Sequence, residues 1–337
     1  MQRTIEIEKK KPKEVKKMDR NNLHLEIAKL IGQPIDASLP VPVEISEVAD
    51  VFTAEPGEKV WRYTEFDPNA GDYILSVDAN GAIAVVKRTP TGDAELTFSG
   101  LDSKLEYVLI DDILAETDNT SVLARRKASI TRAMDKKEVS LITSALLAKT
   151  AGYLPGVNPH EYTPVTGDDL YDVIIGMKHL VEDYGDNYVL LVGSTVKEKI
   201  DTYDKDKAGS FNYNVTLTAK LAELGIKVVK MFGTLSATQG GEQVAIMDTN
   251  SLILVARNSR IAEGKPIKFV RRKIGAEIAK AMGADVDTAQ RALIVNPTPV
   301  NVAGTNTLAY GIFGYESMIF TITNPKAIVI CDAEDVL

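Results

Sequence analysis

Hydrophobic and polar positions alternate through much of residues 73–100, which predicts extended strands. An alternating stretch with Tyr73, Leu75 and Val77 on one side comes first, and a second stretch, apolar on both sides, runs from Ala82 to Val86. Asn80-Gly81 lies between them and is suited to a tight hairpin turn with positive φ. The pattern therefore predicts a β-hairpin, followed by another strand in "AELTF". An isolated hairpin is marginally stable in water, so this ribbon needs a partner surface.

A long amphipathic helix is predicted after the ribbon, over residues 118–150. Good N-cap residues precede it, and Gly152 provides a stop. Its apolar positions recur at steps of seven and four residues: Leu123, Ile130, Met134, Leu141 and Ala145. Its opposite side is basic: Arg125, Arg126, Arg132, Lys136 and Lys137. About 30 residues at 1.5 Å each give a helix of about 45 Å, which is long for one globular domain.

The remaining segments differ in their residue patterns and in the elements that these predict. Residues 1–45 contain several prolines and are expected to form an extended arm. Residues 166–256 alternate helix and strand patterns, which is typical of an α/β domain. The last segment, 257–337, is mostly strand, and we expect turns at its two Asn-Pro dipeptides, Asn296-Pro297 and Asn324-Pro325. The overall fold class predicted is α+β.

Composition and charge narrow the class of protein. The chain has 337 residues, of which 45% are hydrophobic and 26% charged, so wholesale disorder is excluded. No apolar run approaches the roughly 18 residues of a membrane span, and the charged N-terminus predicts a cytoplasmic protein. Residues 1–20 hold eight bases and four acids, a net +4, which leaves −12 for the rest of a chain of net charge −8. This basic arm could contact nucleic acid or be a solvated terminus, and the acidic body disfavours sequence-specific DNA reading.

Candidate catalytic chemistry is sparse. The single cysteine, Cys331, lies in the apolar run "AIVICD" and is interpreted as a packed strand residue. The three histidines show no ligand spacing, and no phosphate-binding loop is present. Asp111-Asp112 is interpreted as a solvated turn and Asp168-Asp169 as a helix cap, although carboxylate pairs also serve acid–base or metal chemistry. The sequence predicts no catalytic residue, no cofactor and no metal site.

The order of these segments resembles the major capsid protein of tailed bacteriophages, the Hong Kong 97 fold that encapsulin shells share. The resemblance rests on element order and texture over nearly the whole chain. It implies an N-terminal arm, a P-domain with a long spine helix, an extended E-loop hairpin, an α/β A-domain and a return through P-domain strands. The arm corresponds to residues 1–45. The P-domain corresponds to 46–62 and 101–165, with the spine helix at 118–150, and the E-loop corresponds to 63–100. The A-domain corresponds to 166–256 and the returning strands to 257–337.

The resemblance also implies partners. Copies would assemble as hexamers and pentamers into an icosahedral shell that encloses double-stranded DNA without sequence-specific contacts. The shell would be that of a virion assembled in the bacterial cytoplasm, and no membrane is expected as a partner. Scaffolding and portal proteins are further expected partners, and binding of a decoration protein is left open. The E-loop residues expected at subunit contacts are Trp61, Tyr73, Asn80, Gly81, Lys87 and Arg88. The arm residues expected at the inner surface or a neighbour are Lys9, Lys10, Lys11 and Lys13.

Some capsids of this fold form an isopeptide between an E-loop lysine and a P-domain asparagine. Lys87 and Asn296 would be the partners here, but these residue types are common and we do not expect the cross-link. Many relatives also begin with a helical scaffolding segment, for which this arm is too short. A separate scaffolding protein, or a segment already removed, is therefore expected.

Two alternatives stay open at this point. The first is an encapsulin-like compartment, which would carry protein cargo rather than DNA; the long basic arm favours the phage capsid over it. The second is an α/β enzyme with an unrecognised site in residues 166–256. The size of the purified particle separates these classes, because an enzyme is expected to form a small oligomer.

Overall fold

The computed structural model describes most of the chain in thirteen segments: 42–65, 73–77, 83–87, 92–102, 106–109, 119–147, 160–206, 216–231, 233–236, 243–259, 264–275, 290–302 and 304–337. The elements of the first segments are α1 (Val43–Val48), β1 (Ala49–Ala54), β2 (Val60–Glu65), β3 (Tyr73–Val77), β4 (Ile83–Lys87), β5 (Gly92–Thr97), β6 (Ser99–Asp102), β7 (Glu106–Leu109) and α2 (Asn119–Leu147).

The middle of the chain contains β8 (His160–Glu161), α3 (Leu170–Val181), β9 (Gly185–Val192), α4 (Ser194–Asp206), α5 (Leu217–Glu223), β10 (Ile226–Lys230), β11 (Thr234–Ser236), β12 (Gln243–Ala245) and β13 (Ser251–Ser259). The last part contains β14 (Ile267–Arg272), β15 (Arg291–Val302), β16 (Thr305–Ile322) and β17 (Ile328–Asp332), with 3₁₀ turns at Pro325–Ala327 and Glu334–Val336.

A five-stranded sheet forms the α/β part, in the order β10-β9-β13-β17-β8. Strands β9 and β10 are parallel, whereas β13 runs antiparallel to both β9 and β17. Leu190 and Val192 of β9 pack into a cluster with residues of α3, α4 and α5, while Val189 and Leu191 pack into a cluster on the opposite face. This sheet is therefore covered on both faces, which explains its nearly continuous apolar strands.

The second sheet has six strands and centres on the long strand β16. Its order is β1-β14-β16-β15, and β6 and β7 also pair with β16. Strands β15 and β16 form a long antiparallel hairpin, from Arg291 opposite Glu316 to Val302 opposite Thr305. Residues of β14, β16, α1 and α2 share one hydrophobic cluster with the five-stranded sheet. This shared core joins the two sheets.

The predicted long helix is confirmed. Helix α2 has 29 residues, which corresponds to about 43 Å at 1.5 Å per residue. The predicted hairpin is confirmed as well, because β3 and β4 are antiparallel partners from Tyr73 opposite Lys87 to Val77 opposite Ile83. The predicted turn at Asn80-Gly81 lies outside the described residues. The mixed α/β character of the chain agrees with the predicted fold class.

The turn predicted at Asn296-Pro297 is wrong. Both residues lie inside β15, with Asn296 opposite Gly311 and Pro297 opposite Tyr310. Among the described strands, β15 pairs only with β16, so it is an edge strand on which a proline is tolerated. The turn predicted at Asn324-Pro325 is confirmed, since a 3₁₀ turn begins at Pro325.

One predicted boundary also differs from the structure. The sequence predicts an extended arm through residue 45, but α1 begins at Val43 and buries Ile45 and Val48. Burial of these two apolar residues outweighs the extended preference of the preceding prolines.

The C-terminal strand β17 lies in the five-stranded sheet, where it pairs with β13, with Ile253 opposite Ile330. Strands β14, β15 and β16 of the same segment, 257–337, lie in the six-stranded sheet. Ile328 and Val329 are both buried, one in each of the two large clusters, so β17 is covered on both faces. The short strand β8 extends the five-stranded sheet from the other side of β17.

Candidate functional site

Three two-stranded antiparallel ribbons of the described strands lie outside the two large sheets: β2–β5, β3–β4 and β11–β12. The first two fall largely in the segment predicted as the E-loop. Strand β2 pairs with β5, from Val60 opposite Thr97 to Glu65 opposite Gly92. Strand β3 pairs with β4. Among the described strands, neither of these two ribbons is joined by a third strand. Two-stranded ribbons are marginally stable alone, so pairing of their outer edges with a further strand would stabilise them.

The root of the β2–β5 ribbon is anchored on its own subunit. The half-buried side chains of Trp61, Leu96 and Phe98 pack against a small cluster that includes Val270 and Ile319 of the six-stranded sheet. The Trp61 ring also lies 5.8 Å from the ring of Phe52, measured between centroids. The structure thus places Trp61 in contact within the subunit.

Polar side chains on the same ribbon are exposed. Arg62 and Glu95 form an ion pair of 2.7 Å in which both side chains are more than half exposed. Such a surface pair contributes about 0–1 kcal/mol to stability. At the base of the ribbon, the Arg272 guanidinium lies 5.2 Å from the Phe98 ring centroid and donates a hydrogen bond of 2.9 Å to the Glu58 carbonyl.

Of the other predicted contact residues, the structure gives strand pairing for two and does not describe the rest. Tyr73 and Lys87 are cross-strand neighbours at the open end of the β3–β4 hairpin. Asn296 lies in β15. That Lys87 and Asn296 form no cross-link stays a prediction. The remaining predicted contact residues lie outside the described part of the chain: Asn80, Gly81, Arg88, Lys9, Lys10, Lys11 and Lys13.

Helix α2 has two faces of opposite character. On one face Ile130, Met134 and Ala145 are buried, as the spacing predicts. On the other face Arg125, Arg132, Lys136 and Lys137 are exposed. The Lys136 ammonium donates a hydrogen bond of 3.5 Å to the carbonyl of Thr234, at the start of β11. The helix therefore presents a basic surface while its apolar side lies on β16 and the shared core.

A buried cluster of charges, not foreseen from the sequence, lies beneath α2. Arg271 of β14 donates from Nε to Glu138 Oε1 at 2.8 Å, and its Nη2 lies 2.5 Å from Glu138 Oε2. Arg291 of β15 donates to Glu316 of β16 at 2.6 Å and to Asp135 of α2 at 2.8 Å. Glu138 and Glu316 are completely buried, and the two arginine side chains are almost so. We call these five residues the α2 ion cluster.

The environment of Glu316 raises its pKa to about 7. Burial is the largest cause, because it disfavours the ionised carboxylate, and the nearby Glu138 charge acts in the same direction. The guanidinium groups of Arg291 and Arg271 oppose the shift. Since the folded-state pKa lies above the usual value of 4.5, this group stabilises the fold at low pH. That contribution is lost as pH rises from 4.5 through about 7.

Asp169 has the helix-capping role that the sequence predicts for this pair, whereas Asp168 lies in the turn before the cap. The N–H groups of Tyr171 and Asp172 donate to Asp169 Oδ1 at 2.9 and 3.1 Å, and Asp172 accepts from the Asp169 N–H at 3.3 Å. This arrangement is a capping box at the start of α3. Asp168 accepts from the Val165 N–H at 2.9 Å. The other predicted pair, Asp111-Asp112, lies outside the described residues.

Cys331 is the packed strand residue that the sequence predicts. It is buried in β17, and burial raises the pKa of its thiol to about 12. The thiol is therefore protonated at neutral pH and a poor nucleophile.

No group of three or more His, Cys, Asp or Glu side chains is arranged to hold a metal ion in the segments that the structure describes. Within those segments no helix has the length and hydropathy needed to cross a membrane.

Comparison with known proteins gives structural matches only. No protein-family model matches the chain, and no curated protein matches its sequence. The capsid of an empty GTA particle matches with a TM-score of 0.52 and 12% identity, covering 89% of this chain and 93% of that one. A chain of Mycobacterium phage Adephagia matches with a TM-score of 0.51 and 12% identity, covering 94% and 97%.

An encapsulin complex from Synechococcus elongatus is matched with a lower TM-score of 0.44, at 10% identity over 91% of this chain and 94% of that one. At these identities the matches describe architecture. The resemblance to capsid subunits is confirmed at the level of the fold, over nearly the full length of each chain. The chain therefore has the fold of a phage-type capsid subunit.

Proposed function

We propose that this protein is the major capsid protein of a tailed bacteriophage. Copies assemble as hexamers and pentamers into an icosahedral shell that encloses double-stranded DNA. The observation that carries the proposal is the fold shared with the capsid of the GTA particle, at a TM-score of 0.52 over 89% of this chain. The structural match to a chain of a mycobacterial phage supports it.

The proposal gives each segment a role in the shell. The six-stranded sheet and α2 form the P-domain with its spine helix, and residues 63–100 form the E-loop. The five-stranded sheet forms the A-domain, now including β17 and β8. Residues 1–45 act as the N-terminal arm, although α1 already begins at Val43. Scaffolding and portal proteins are further partners in this proposal.

Charge supports contact between the ribbon of one subunit and α2 of another. Residues 63–100 contain six acidic and two basic side chains, a net charge of −4. The exposed face of α2 carries Arg125, Arg132 and Lys137. Opposite charges on two surfaces steer their association and fix its register. The ribbon contact residues predicted from the sequence, including Lys87 and Arg88, belong to the same proposed interface.

The negative net charge of the chain outside residues 1–20 is compatible with a shell that encloses DNA. Apart from residues 1–20, the chain carries a net charge of about −12, which disfavours tight binding of phosphate backbones. DNA inside such a shell would stay mobile enough to be packed and ejected. The basic arm, with Lys9, Lys10, Lys11 and Lys13, would then make inner-surface or neighbour contacts.

Particle size tests the proposal directly. The full chain is purified, its mass is measured by sedimentation, and the same sample is imaged by electron microscopy. Capsomers or closed icosahedral shells are expected, with a mass many times that of the 36.7 kDa chain. A stable monomer, or an oligomer smaller than a pentamer, under all assembly conditions, including added scaffolding protein, would contradict the proposal.

The contents of the particle separate a phage capsid from an encapsulin-like compartment. Particles isolated from producing cells are treated with nuclease, and protected nucleic acid and co-purifying proteins are then measured. Long protected double-stranded DNA is the expected result. Shells that contain a defined cargo protein and no protected DNA would replace the capsid assignment with the compartment.

A further inference from the structure

The α2 ion cluster contains more carboxylates than guanidinium groups. Asp135, Glu138 and Glu316 face Arg271 and Arg291, so full ionisation leaves one negative charge in excess. Four of the five side chains are nearly inaccessible, and only Asp135 is about one-third exposed. An uncompensated charge in such a buried place is costly. One bound proton would bring the cluster to neutrality.

The hydrogen bonds indicate where that proton is held. Glu316 Oε2 accepts from Arg291 Nε at 2.6 Å, whereas Glu316 Oε1 is buried without a hydrogen-bond partner. Nη2 of Arg291 is likewise buried without a hydrogen bond, and its distance to Glu138 Oε2 is 3.7 Å. Both oxygens of Glu138, by contrast, lie within 2.8 Å of Arg271 nitrogens. Oε1 of Glu316 is therefore the buried carboxylate oxygen of the cluster that lacks a hydrogen bond, and a proton there would cancel the excess negative charge.

We propose that the α2 ion cluster is a pH switch, in which a proton on Glu316 holds α2 firmly on β16 and loss of that proton loosens the contact. The helix and the strand meet closely at this place. A methyl group added to Gly314 would overlap the side chain of Met134, and Ile130 lies beside it. Glu316 lies two residues from Gly314 along β16, so a change in its charge acts where α2 contacts this strand.

Three of the elements packed around Glu316 contribute charged groups. Helix α2 contributes Glu138 and Asp135, β14 contributes Arg271 and β15 contributes Arg291. Strand β6 places Leu101, which has no charge, opposite Glu316. Burial and the Glu138 charge raise the pKa of Glu316 to about 7, against the two arginines. The proton is therefore expected to leave near neutral pH.

The switch itself is a property of the folded subunit, and its use in a shell rests on the proposed function. Contacts between α2 and a neighbour's ribbon would then change with pH. The test is made on the unassembled full chain, so that failure of shell formation and failure of the switch are seen separately.

The experiment compares unfolding by denaturant between pH 5 and 8 for the wild type and Glu316→Gln. Between pH 4.5 and 7 the wild-type unfolding constant should rise by up to about tenfold per pH unit because of this one group. Glu316→Gln keeps the shape of the side chain and should remove that part of the pH dependence. Glu198→Gln, an exposed glutamate on α4, is the matched control and should leave it unchanged.

Amide hydrogen exchange of the wild type gives a second reading that needs no variant. After correction for intrinsic rates, α2 amides between residues 130 and 146 should exchange at least about tenfold faster at pH 8 than at pH 5.5, relative to those of β9 and β13. Equal protection of α2 at both pH values would overturn the proposal. So would a pH dependence of unfolding that Glu316→Gln leaves intact.

Discussion

The five-stranded sheet and the ribbons use the same backbone hydrogen bonds but differ in what covers them. In the sheet, Leu190 and Leu254 are completely buried on one face, and Leu191 and Ile253 are buried on the other. At the root of the β2–β5 ribbon, Trp61 and Leu96 are only half-buried. The neighbouring Arg62, Glu95 and Thr97 are exposed. The sheet is thus stabilised by its own chain, and the ribbon is only anchored there.

This difference indicates that the sheet and the ribbon have separate roles. A sheet that is buried on both faces supplies a stable body, because each buried Leu or Ile contributes about 1.5–3 kcal/mol. A ribbon with open edges gains little within the subunit. Under the proposed function it is completed by a second copy of the chain. Stability and assembly should then separate along this division.

Removal of the distal ribbon should have the largest effect on assembly. Residues 66–91 are replaced by a short Gly-containing turn between β2 and β5, which keeps their pairing. Particles should be lost, while circular dichroism and the cooperative unfolding of the α/β body stay close to those of the full chain. Normal shells formed by the shortened chain would show that the ribbon is not needed for assembly.

Reversal of charge on α2 should weaken assembly by less than complete removal of the ribbon. In Arg132→Glu with Lys137→Glu, two exposed bases become acids that would face an acidic ribbon. Assembly at low salt is expected to fall at least about tenfold, because juxtaposed like charges cost several kcal/mol. The rates are followed by light scattering.

A matched reversal on the ribbon serves as the control for this change. Adding Asp93→Lys and Glu95→Lys to the α2 variant restores the net charge and makes the two surfaces complementary again. Partial recovery of the assembly rate is expected. If the four-residue variant assembles as slowly as the two-residue variant, the proposed contact between ribbon and helix is incorrect.

A cavity in the sheet should lower stability without removing the assembly surface. Leu254→Ala truncates a completely buried side chain of β13 and is expected to cost about 2–5 kcal/mol in the free energy of unfolding. Denaturant titration measures the cost, and particles should still form well below the lowered melting temperature. A loss below about 0.5 kcal/mol would mean that this sheet is not the stabilising core.

The smallest effect is expected from the exposed ion pair at the ribbon root. Arg62→Ala removes the 2.7 Å pair with Glu95 and should change the free energy of unfolding by about 0–1 kcal/mol. A double-mutant cycle with Glu95→Ala isolates the pair energy. A coupling above about 2 kcal/mol would show that the ribbon is held tightly within its own subunit, contrary to the comparison drawn above.

The sequence predicted the elements whose signals are local. Steps of seven and four residues identified helix α2, and the alternation on both sides of Asn80-Gly81 identified the β3–β4 hairpin. The cap at Asp169 followed from its position before an amphipathic helix. These features depend on neighbouring residues, so one sequence is enough to find them.

Features that depend on distant pairing were missed. Asn296-Pro297 has the local signal of a turn, but pairing with β16 keeps it in an extended strand. The sheet to which β17 belongs depends on packing against β13 and could not be read from the apolar run alone. Glu138 lies four residues from Met134 and from Ile142, within the apolar stripe of α2. The position of Glu138 in this stripe could have indicated a buried charge. Its partner, Arg271, is 133 residues away and could not be identified from the sequence alone.

Hydrogen exchange of the ribbon before and after assembly tests the central claim most directly. Amides of β3 and β4 are compared with those of β9 and β13 in the unassembled subunit and in purified particles. The ribbon amides should exchange rapidly in the free subunit and become strongly protected in the particle, while the sheet amides stay protected in both. Ribbon amides that are already fully protected in the free subunit, or remain unprotected in the particle, would contradict completion of the ribbon by a second copy.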